Sequence, residues 1–212
     1  MSTDGPKLQI WLFDTLAGRR QLWRSECNRH QISLQCFEAI QTFSTPSERP
    51  TLVVFDQSLV GDLAPFVDQA IRKCTDRFLV CTDRLITCDD AVRLVRLGVG
   101  WLFDDQCKSF PREFSTMLGH AEKWAKQWTR YRQLNGYYAS LTDAENDVLN
   151  LLLEGTSNTK IASDLGVSVR TVESRKIRIY HKLQVQTVVA LTKQSMEMES
   201  LRSTISRNSL TA

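Results

Sequence analysis

The chain has 212 residues and a formal net charge of +3, from 27 Lys and Arg against 24 Asp and Glu. Its apolar fraction of 42% and charged fraction of 24% are typical of a globular protein and exclude a wholly disordered one. No apolar run is long enough to cross a bilayer, and residues 1–7 lack the basic and apolar regions of a secretory signal. We therefore expect a cytoplasmic protein without membrane association.

The charge divides unevenly along the chain. Residues 1–119 carry 14 Lys and Arg against 15 Asp and Glu, a net of −1, whereas residues 120–212 carry 13 against 9, a net of +4. A basic second half favours a polyanionic partner, although a surplus of this size also occurs on ordinary protein surfaces.

Cysteine and histidine do not form a zinc pattern. All six cysteines lie in the first half, none belongs to a C-x-x-C pair, and the three histidines are widely spaced. Zinc sites use closely spaced ligands, so we expect none here. Scattered cysteines usually act as small buried apolar residues, and a redox-sensing thiol is the alternative.

Short apolar runs alternate with helical patterns through the first half. Four nearly continuous runs and one weaker stretch predict strands at residues 8–13, 32–43, 52–55, 78–81 and 99–103. Helical patterns lie at about residues 17–30, 62–73, 88–97 and 110–130. This alternation predicts an α/β domain with a doubly wound, parallel, five-stranded sheet.

Polar residues follow these strands directly. In a doubly wound sheet, functional residues collect at the carboxyl ends of the strands. The residues at those ends are Asp14, Asp56, Thr82, Asp104 and Asp105.

An amphipathic helix is predicted after the last strand. Apolar residues recur at steps of three and four over residues 114–134, which is the spacing of one helical face. The pair Asn135 and Gly136 predicts its end. We expect its aromatic residues to pack on the first domain near Met117. Beyond Trp124 we expect them to link domains or to pair with a second copy.

The second half opens with the signature of a helix N-terminus. Thr142 and Glu145 have the spacing of a capping box, and Gly155 ends the helix that follows. Either Ser157 or Asn158 can cap a second helix.

A glycine turn leads from the second helix into a third. The turn is at Gly166, Ser168 caps the third helix, which runs to about His181, and a fourth begins near Val185. Helix, short glycine turn and helix is the helix-turn-helix pattern. The last residues of the chain, rich in Ser and Thr, predict a loose tail.

The third helix concentrates positive charge. From Ser168 to Leu183 it contains five Lys or Arg and one acid, a net of +4. At about 100° per residue, Val172, Ile179 and Leu183 share the face that must meet the core. The outward face and its flanks carry Arg170, Thr171, Glu173, Ser174, Ile177, Arg178, Tyr180, His181 and Lys182. Such a helix fits a major groove of DNA, with cations and hydroxyls at its flanks for phosphates; an ordinary solvated basic face is the alternative.

Five stretches of the second half carry a family resemblance. They are LTDAENDVLNLLLEGTSN at 141–158, IA at 161–162, LGVS at 165–168, TVESR at 171–175 and KL at 182–183. They resemble the DNA-binding domain of LuxR/FixJ-type regulators, with the spacing intact. The resemblance implies an all-α, four-helix helix-turn-helix domain whose third helix reads DNA and whose fourth helix can dimerise.

The resemblance makes residues of two helices candidate DNA contacts. The second helix supplies Ser157, Asn158 and Lys160. The third helix supplies Arg170, Thr171, Glu173, Ser174, Arg175, Ile177, Arg178, His181 and Lys182. The family often has His at the position of Arg175, which keeps a hydrogen-bond donor there, and Lys or Glu at the position of Glu173, so a base preference does not carry over.

The first half is similar to a flavodoxin-like response-regulator receiver. In that family a phosphoacceptor Asp follows the third strand, here Asp56, and a hydroxyl follows the fourth, here Thr82. Asp14 matches one member of the acidic pair that holds Mg²⁺, but Phe13 stands at its partner's position. Asp105 stands where the family has a Lys.

These departures imply a degenerate receiver. Oxygen ligands hold Mg²⁺, so the loss of one carboxylate weakens the metal site of Asp14 and Asp56. Asp105 adds negative charge where the phosphoryl group would lie. We expect no cofactor, or only weakly bound Mg²⁺.

The sequence as a whole predicts a DNA-binding transcription regulator that acts as a dimer. It divides into a receiver-like domain at 1–119, a linker helix at 120–138, a helix-turn-helix domain at 139–200 and a loose tail at 201–212. The expected partners are double-stranded DNA and a second copy of the chain, together with a sensor kinase or a partner protein.

Other modes of control and other classes of function are alternatives to this interpretation. Control by phosphorylation of Asp56 is the alternative to control without phosphate. An enzyme is not expected, because the chain has no G-x-x-x-x-G-K phosphate loop and no G-x-S-x-G elbow. An adaptor that binds no DNA and uses the aromatic helix is the remaining class.

Overall fold

A computed structural model describes residues 8–37, 49–56, 77–82, 87–96, 99–103 and 109–207. These residues divide into two compact units, one that extends to Thr129 and includes Ser203–Arg207, and one that comprises Arg130–Arg202. Among the helices in these ranges, none has both the length and the apolarity needed to cross a membrane.

The first unit is built on a parallel sheet. Its strands are β1 (Gln9–Phe13), β2 (Ser33–Phe37), β3 (Thr51–Asp56), β4 (Arg77–Thr82) and β5 (Trp101–Phe103). The strand order is β2-β1-β3-β4-β5, and each described pair of neighbours is parallel. All six residues of β3 are buried, as expected for a central strand that is covered on both faces.

Two described helices follow strands of this sheet, α1 (Ala17–Arg29) and α2 (Cys88–Arg96). The helix predicted at residues 62–73 lies outside the described residues. Because all strands run in one direction, the end of β1, followed by Asp14, and the end of β3 at Asp56 lie at the same edge of the sheet.

A long helix, α3 (Phe110–Ala139), follows the last strand. Its residues as far as Trp128 pack into the core of the first unit, where Trp124 and Trp128 are buried in one cluster with Trp23. Packing on the first domain therefore extends through Trp128, further than expected. The helix then continues across the boundary into the second unit.

The predicted end of this helix at Asn135 and Gly136 was also wrong, because α3 continues to Ala139. A glycine inside a helix costs only about 1 kcal/mol relative to alanine. Tyr137 and Tyr138 pack against the core of the second unit, and this burial outweighs the weak local signal to stop.

The second unit contains four helices after α3. They are α4 (Asp143–Leu153), α5 (Asn158–Asp164), α6 (Val169–Lys182) and α7 (Val188–Arg207). They enclose an apolar cluster that includes Val148, Ile161, Val172, Ile179 and Leu191.

The helix starts in this unit follow the predicted caps. The capping box of Thr142 and Glu145 is confirmed in both directions. The Ser157 hydroxyl accepts a hydrogen bond from Lys160 N–H, which makes Ser157 and not Asn158 the cap of α5. Ser168 caps α6 through Thr171 N–H.

The tail predicted from residue 201 is helical as far as Arg207, since α7 runs through it. Glu199, Leu201 and Arg202 precede the Ser- and Thr-rich residues, and Glu, Leu and Arg are good helix formers. Leu201 is also half-buried, so contacts support the helix where its composition alone suggested a tail.

Substitution of Gly136 tests the continuity of α3. Its neighbourhood leaves open space for a Cβ atom, and glycine in a helix is less favourable than alanine. We expect Gly136→Ala to raise the free energy of unfolding by about 0.5–1 kcal/mol in urea titrations of the full chain. Gly166→Ala is the control, because its φ of +63° is unfavourable for alanine by about 1–2 kcal/mol. Destabilisation by Gly136→Ala would show that the helix ends there.

Candidate nucleic-acid interface

Helix α6 has one fully buried face. Val172, Ile179 and Leu183 have no exposed surface, and all three belong to the apolar core of the second unit. This is the face that the helical spacing predicted. Its burial fixes the rotation of α6 about its own axis and so decides which residues point outward.

The opposite face of α6 is open to solvent and mostly basic or polar. The exposed residues are Arg170, Glu173, Ser174, Ile177, Arg178 and His181, and the half-buried ones are Thr171, Arg175, Lys176 and Lys182. Ile177, a large apolar side chain among these cations, is 69% exposed. Cations around an exposed apolar residue are the side chains that contact phosphates and thymine methyl groups.

Some polar groups at the start of α6 form hydrogen bonds with one another. The hydroxyls of Ser168 and Thr171 lie 2.8 Å apart within hydrogen-bond distance, and Ser168 Oγ also accepts from Thr171 N–H at 3.1 Å. On α5, Asn158 is half-buried and Lys160 is exposed. Lys160 lies 3.8 Å from Asp164, an exposed pair of the kind that contributes little to stability.

Lys182 has a contact that the sequence did not reveal. Its Nζ lies 2.6 Å from Oε2 of Glu145 and donates to the carbonyl of Ser140 at 2.9 Å. The Glu145 side chain is 5% exposed, and Thr142 N–H donates to the same oxygen at 2.9 Å. The hydrogen bond from Lys182, followed by that from Thr142, holds the pKa of Glu145 below its ordinary value.

This network joins the start of α4 to the end of α6. The sequence interpretation gave Lys182 only a phosphate contact, because spacing along the chain does not show that residues 145 and 182 meet. Lys176 has an internal contact too, since its Nζ lies 5.7 Å from the centre of the Tyr180 ring. Among the cations of the outward face, Arg170 and Arg178 are the exposed ones.

The second unit also contains a fork-shaped ion pair. Arg130 lies in the part of α3 that belongs to this unit. Its Nε donates to Oε1 of Glu197 on α7 at 2.8 Å, and its Nη2 donates to Oε2 at 2.8 Å. The hydrogen bonds raise the pKa of Arg130 and lower that of Glu197. Tyr138 Oη and Ser195 Oγ lie 2.8 Å apart, so two polar contacts join α3 to α7.

A second cluster lies at the carboxyl edge of the sheet in the first unit. Asp14 is fully buried, Asp56 is 3% exposed and Arg19 is 7% exposed. Arg19 Nη2 donates to Asp14 Oδ1 at 3.0 Å and Nε lies 2.7 Å from Oδ2. The same Nη2 pairs with Oδ2 of Asp56, so one guanidinium bridges both carboxylates.

Sequence reasoning brought Asp14 and Asp56 to this edge but missed Arg19. The sequence did contain a signal for Arg19. This residue lies in the first turn of α1, a few residues after the end of β1. Phe13, at the partner position of the acidic pair, is 1% exposed and stacks on Phe37 with ring centres 4.9 Å apart. Thr82 pairs in register with Asp56, and Asp105 lies outside the described residues.

The side chains that the structure describes at this edge form a poor set of ligands for a metal ion. Within the described ranges, no three His, Cys, Asp or Glu side chains converge on one position. The receiver resemblance implies Mg²⁺ here, but the carboxylates that would bind it already contact a guanidinium. The residues present therefore do not fit the metal.

Comparisons with known proteins bear on the second unit. The family described as bacterial regulatory proteins, luxR family, matches residues 139–194. The chain is 36% identical to the uncharacterized response regulatory protein YgeK of Escherichia coli over 58 residues. This matched stretch covers 27% of this chain and 40% of that protein. Over 66 residues it is 36% identical to the response regulator protein VraR of Staphylococcus saprophyticus, 31% of this chain and 32% of that protein.

Solved structures extend the similarity to most of the chain. Full-length FixJ from B. japonicum matches with a TM-score of 0.52 at 20% identity, over 92% of this chain and 99% of that one. The response regulator StyR matches with a TM-score of 0.58 at 22% identity, over 90% and 99%. At these identities the likeness concerns the fold, which is that of a two-domain response regulator.

The fold of the chain is therefore that of solved two-domain response regulators. The chain carries a regulatory domain of the luxR family at residues 139–194, and the predicted LuxR/FixJ resemblance is confirmed. The matched stretches span less than half the length of the curated relatives.

Replacement of Lys182 tests its internal role. We expect Lys182→Gln to lower the free energy of unfolding at neutral pH by about 1–2 kcal/mol, because Glu145 stays buried with one fewer donor. The pKa of Glu145 is lowered in the folded state, so its contribution is complete above the ordinary carboxyl range and is lost as the pH falls through the lowered pKa. The difference between wild type and variant should thus shrink in urea titrations at acid pH.

Lys160→Gln is the matched control, because the Lys160 side chain is 70% exposed. We expect its effect to stay below about 0.5 kcal/mol. Equal effects of the two substitutions at neutral pH would contradict the internal role of Lys182.

Proposed function

We propose that this protein is a DNA-binding transcription regulator of the response-regulator type that acts in the cytoplasm as a homodimer. In this proposal the first unit is a doubly wound, five-stranded, receiver-like domain, and the helices after α3 are a complete four-helix helix-turn-helix domain. We place the receiver-like domain at 1–119, the linker helix at 120–138 and the helix-turn-helix domain at 139–200. Within the linker helix, Trp124 and Trp128 pack with the first unit.

The observation that carries the proposal is the division of α6 into two faces. Three fully buried apolar residues hold one face, and the other presents Arg170, Arg178 and an exposed Ile177. Phosphate contacts supply affinity, and base edges read in the major groove supply sequence choice. In the luxR-family domain we assign α6 to that groove.

The twelve candidate DNA-contacting residues fall into groups that differ in exposure and in position on α5 and α6. We propose that Arg170, Ser174, Ile177, Arg178 and His181 face DNA directly, because all are exposed. Thr171, Glu173 and Arg175 flank them, and Ser157, Asn158 and Lys160 approach the phosphate backbone from α5. Lys182 acts mainly by holding α6 against α4 and contributes less to DNA binding.

Dimerisation is proposed through the last helix. Val188, Val189 and Met196 of α7 are 44%, 59% and 69% exposed. Two subunits joined there would place two α6 helices on successive turns of a duplex.

The receiver-like domain is proposed to work without phosphorylation of Asp56. Phe13 stands in the place of one acidic residue, and Arg19 forms ion pairs with the two carboxylates that remain, Asp14 and Asp56. The domain would then respond to a partner protein, to a ligand or to its own concentration. The second candidate is conventional control by a sensor kinase at Asp56, which the position of Asp56 at the end of β3 favours.

Arg178→Ala tests the placement of α6. Each phosphate neutralised by the protein contributes about one unit to the slope of log affinity against log salt concentration. We expect this variant to bind duplex DNA more weakly and to reduce the magnitude of the slope by about one. Affinity is measured by fluorescence anisotropy over a series of salt concentrations.

Lys123→Ala is the charge-matched control, since Lys123 is an exposed residue of α3 outside the luxR-family domain. It should leave affinity and slope unchanged. Unchanged binding in Arg178→Ala, with the fold intact by circular dichroism, would refute the assignment of α6.

A further inference from the structure

The acidic edge of the sheet has an unusual charge arrangement. Asp14, Asp56 and Arg19 are all buried, and Arg19 contacts both carboxylates through its Nη2 atom. Burial of ionised groups is unfavourable unless they are paired and hydrogen-bonded. Two carboxylates at one edge therefore require a cation, and the guanidinium is at that place.

Several contacts fix the guanidinium. Its Nη2 donates to Oδ1 of Asp14 at 3.0 Å, and its Nε lies 2.7 Å from Oδ2 of the same carboxylate. Asp14 Oδ1 also accepts from Leu16 N–H at 2.7 Å, just before α1 begins. The neighbouring Arg20 donates through Nη1 to the backbone carbonyl of Asp14 at 3.3 Å, which adds a second positive charge near the same residue.

A divalent ion would have to displace these contacts. Mg²⁺ requires oxygen ligands at about 2.0–2.1 Å in octahedral geometry. Both oxygens of Asp14 and Oδ2 of Asp56 already contact Arg19. The adjacent Phe13 side chain is buried in a ring stack and offers no oxygen.

We propose that the Arg19 guanidinium is the resident cation of this pocket and takes the place of a divalent metal ion. The negative charge of the pocket is then offset by arginines of the chain itself, Arg19 within it and Arg20 beside it, and the start of α1 is tied to the ends of β1 and β3. The edge is held in one arrangement at any Mg²⁺ concentration. This inference deepens the proposed function, because it rests on the interpretation of the first domain as an atypical receiver.

The test is Mn²⁺ binding to the full chain, followed by electron paramagnetic resonance of the free ion. We expect wild type to show no site at this edge at millimolar Mn²⁺. Arg19→Ala leaves two carboxylates without that cation, so we expect it to bind Mn²⁺ at least about tenfold more tightly than wild type. Arg19→Ala/Asp56→Asn should lose the gained site.

The control is Arg24→Ala, which removes the same charge from an exposed position of the same helix and should bind Mn²⁺ as wild type does. Wild-type binding that Asp14→Asn abolishes would overturn the proposal. Folded Arg19→Ala that gains no site would overturn it as well.

Thermal unfolding covers the case in which Arg19→Ala folds poorly. A ligand that binds only the folded state raises the unfolding temperature. We expect millimolar Mg²⁺ to raise it for Arg19→Ala and not for wild type or Arg19→Lys; an increase in wild type that Asp14→Asn removes would contradict the proposal.

DNA binding measured on the same samples separates this inference from the proposed function. Absence of DNA binding in wild type, with the expected Mn²⁺ results, would remove the proposed function and leave Arg19 as the resident cation.

Discussion

The burial of one face of α6 is the constraint on which the candidate interface depends. Val172, Ile179 and Leu183 have no exposed surface, and truncation of such residues typically costs about 2–5 kcal/mol. No other rotation of the helix would bury all three, so the outward position of Arg178 and Ile177 follows from the core. The ends of α6 are fixed by the Ser168 cap and by the ion pair of Lys182 with Glu145.

The first domain depends on a different kind of contact. Its sheet brings Asp14 and Asp56 to one edge because parallel strands end together, and the edge is stable only if their charges are balanced. Arg19 offsets much of that charge from within the chain, and Arg20 adds a second positive charge beside Asp14. Under the proposed function, a receiver-like domain of this kind holds its carboxyl edge together without a metal ion, and its signal reaches the second domain by a route other than phosphate.

Much of this arrangement could be predicted from the sequence, and the parts that could not have a common physical cause. Caps at Thr142 and Ser168 and the buried face of α6 depend on residues a few positions apart, which local spacing reveals. The contacts of Lys182 with Glu145 and of Arg19 with Asp56 join residues 37 positions apart in both cases, and spacing carries no information about them. The end of α3 was misplaced because packing of Tyr137 and Tyr138 overrode a local glycine signal.

Whether α6 reads DNA is tested by selection of duplexes from a random DNA pool by the full chain, followed by footprinting of the selected sequence. We expect enrichment of a defined sequence with guanine or adenine contacts in the major groove, and loss of that enrichment for Arg170→Ala/Arg178→Ala. A folded wild-type protein that enriches no sequence and protects no groove would contradict the assignment of α6 as the element that reads DNA.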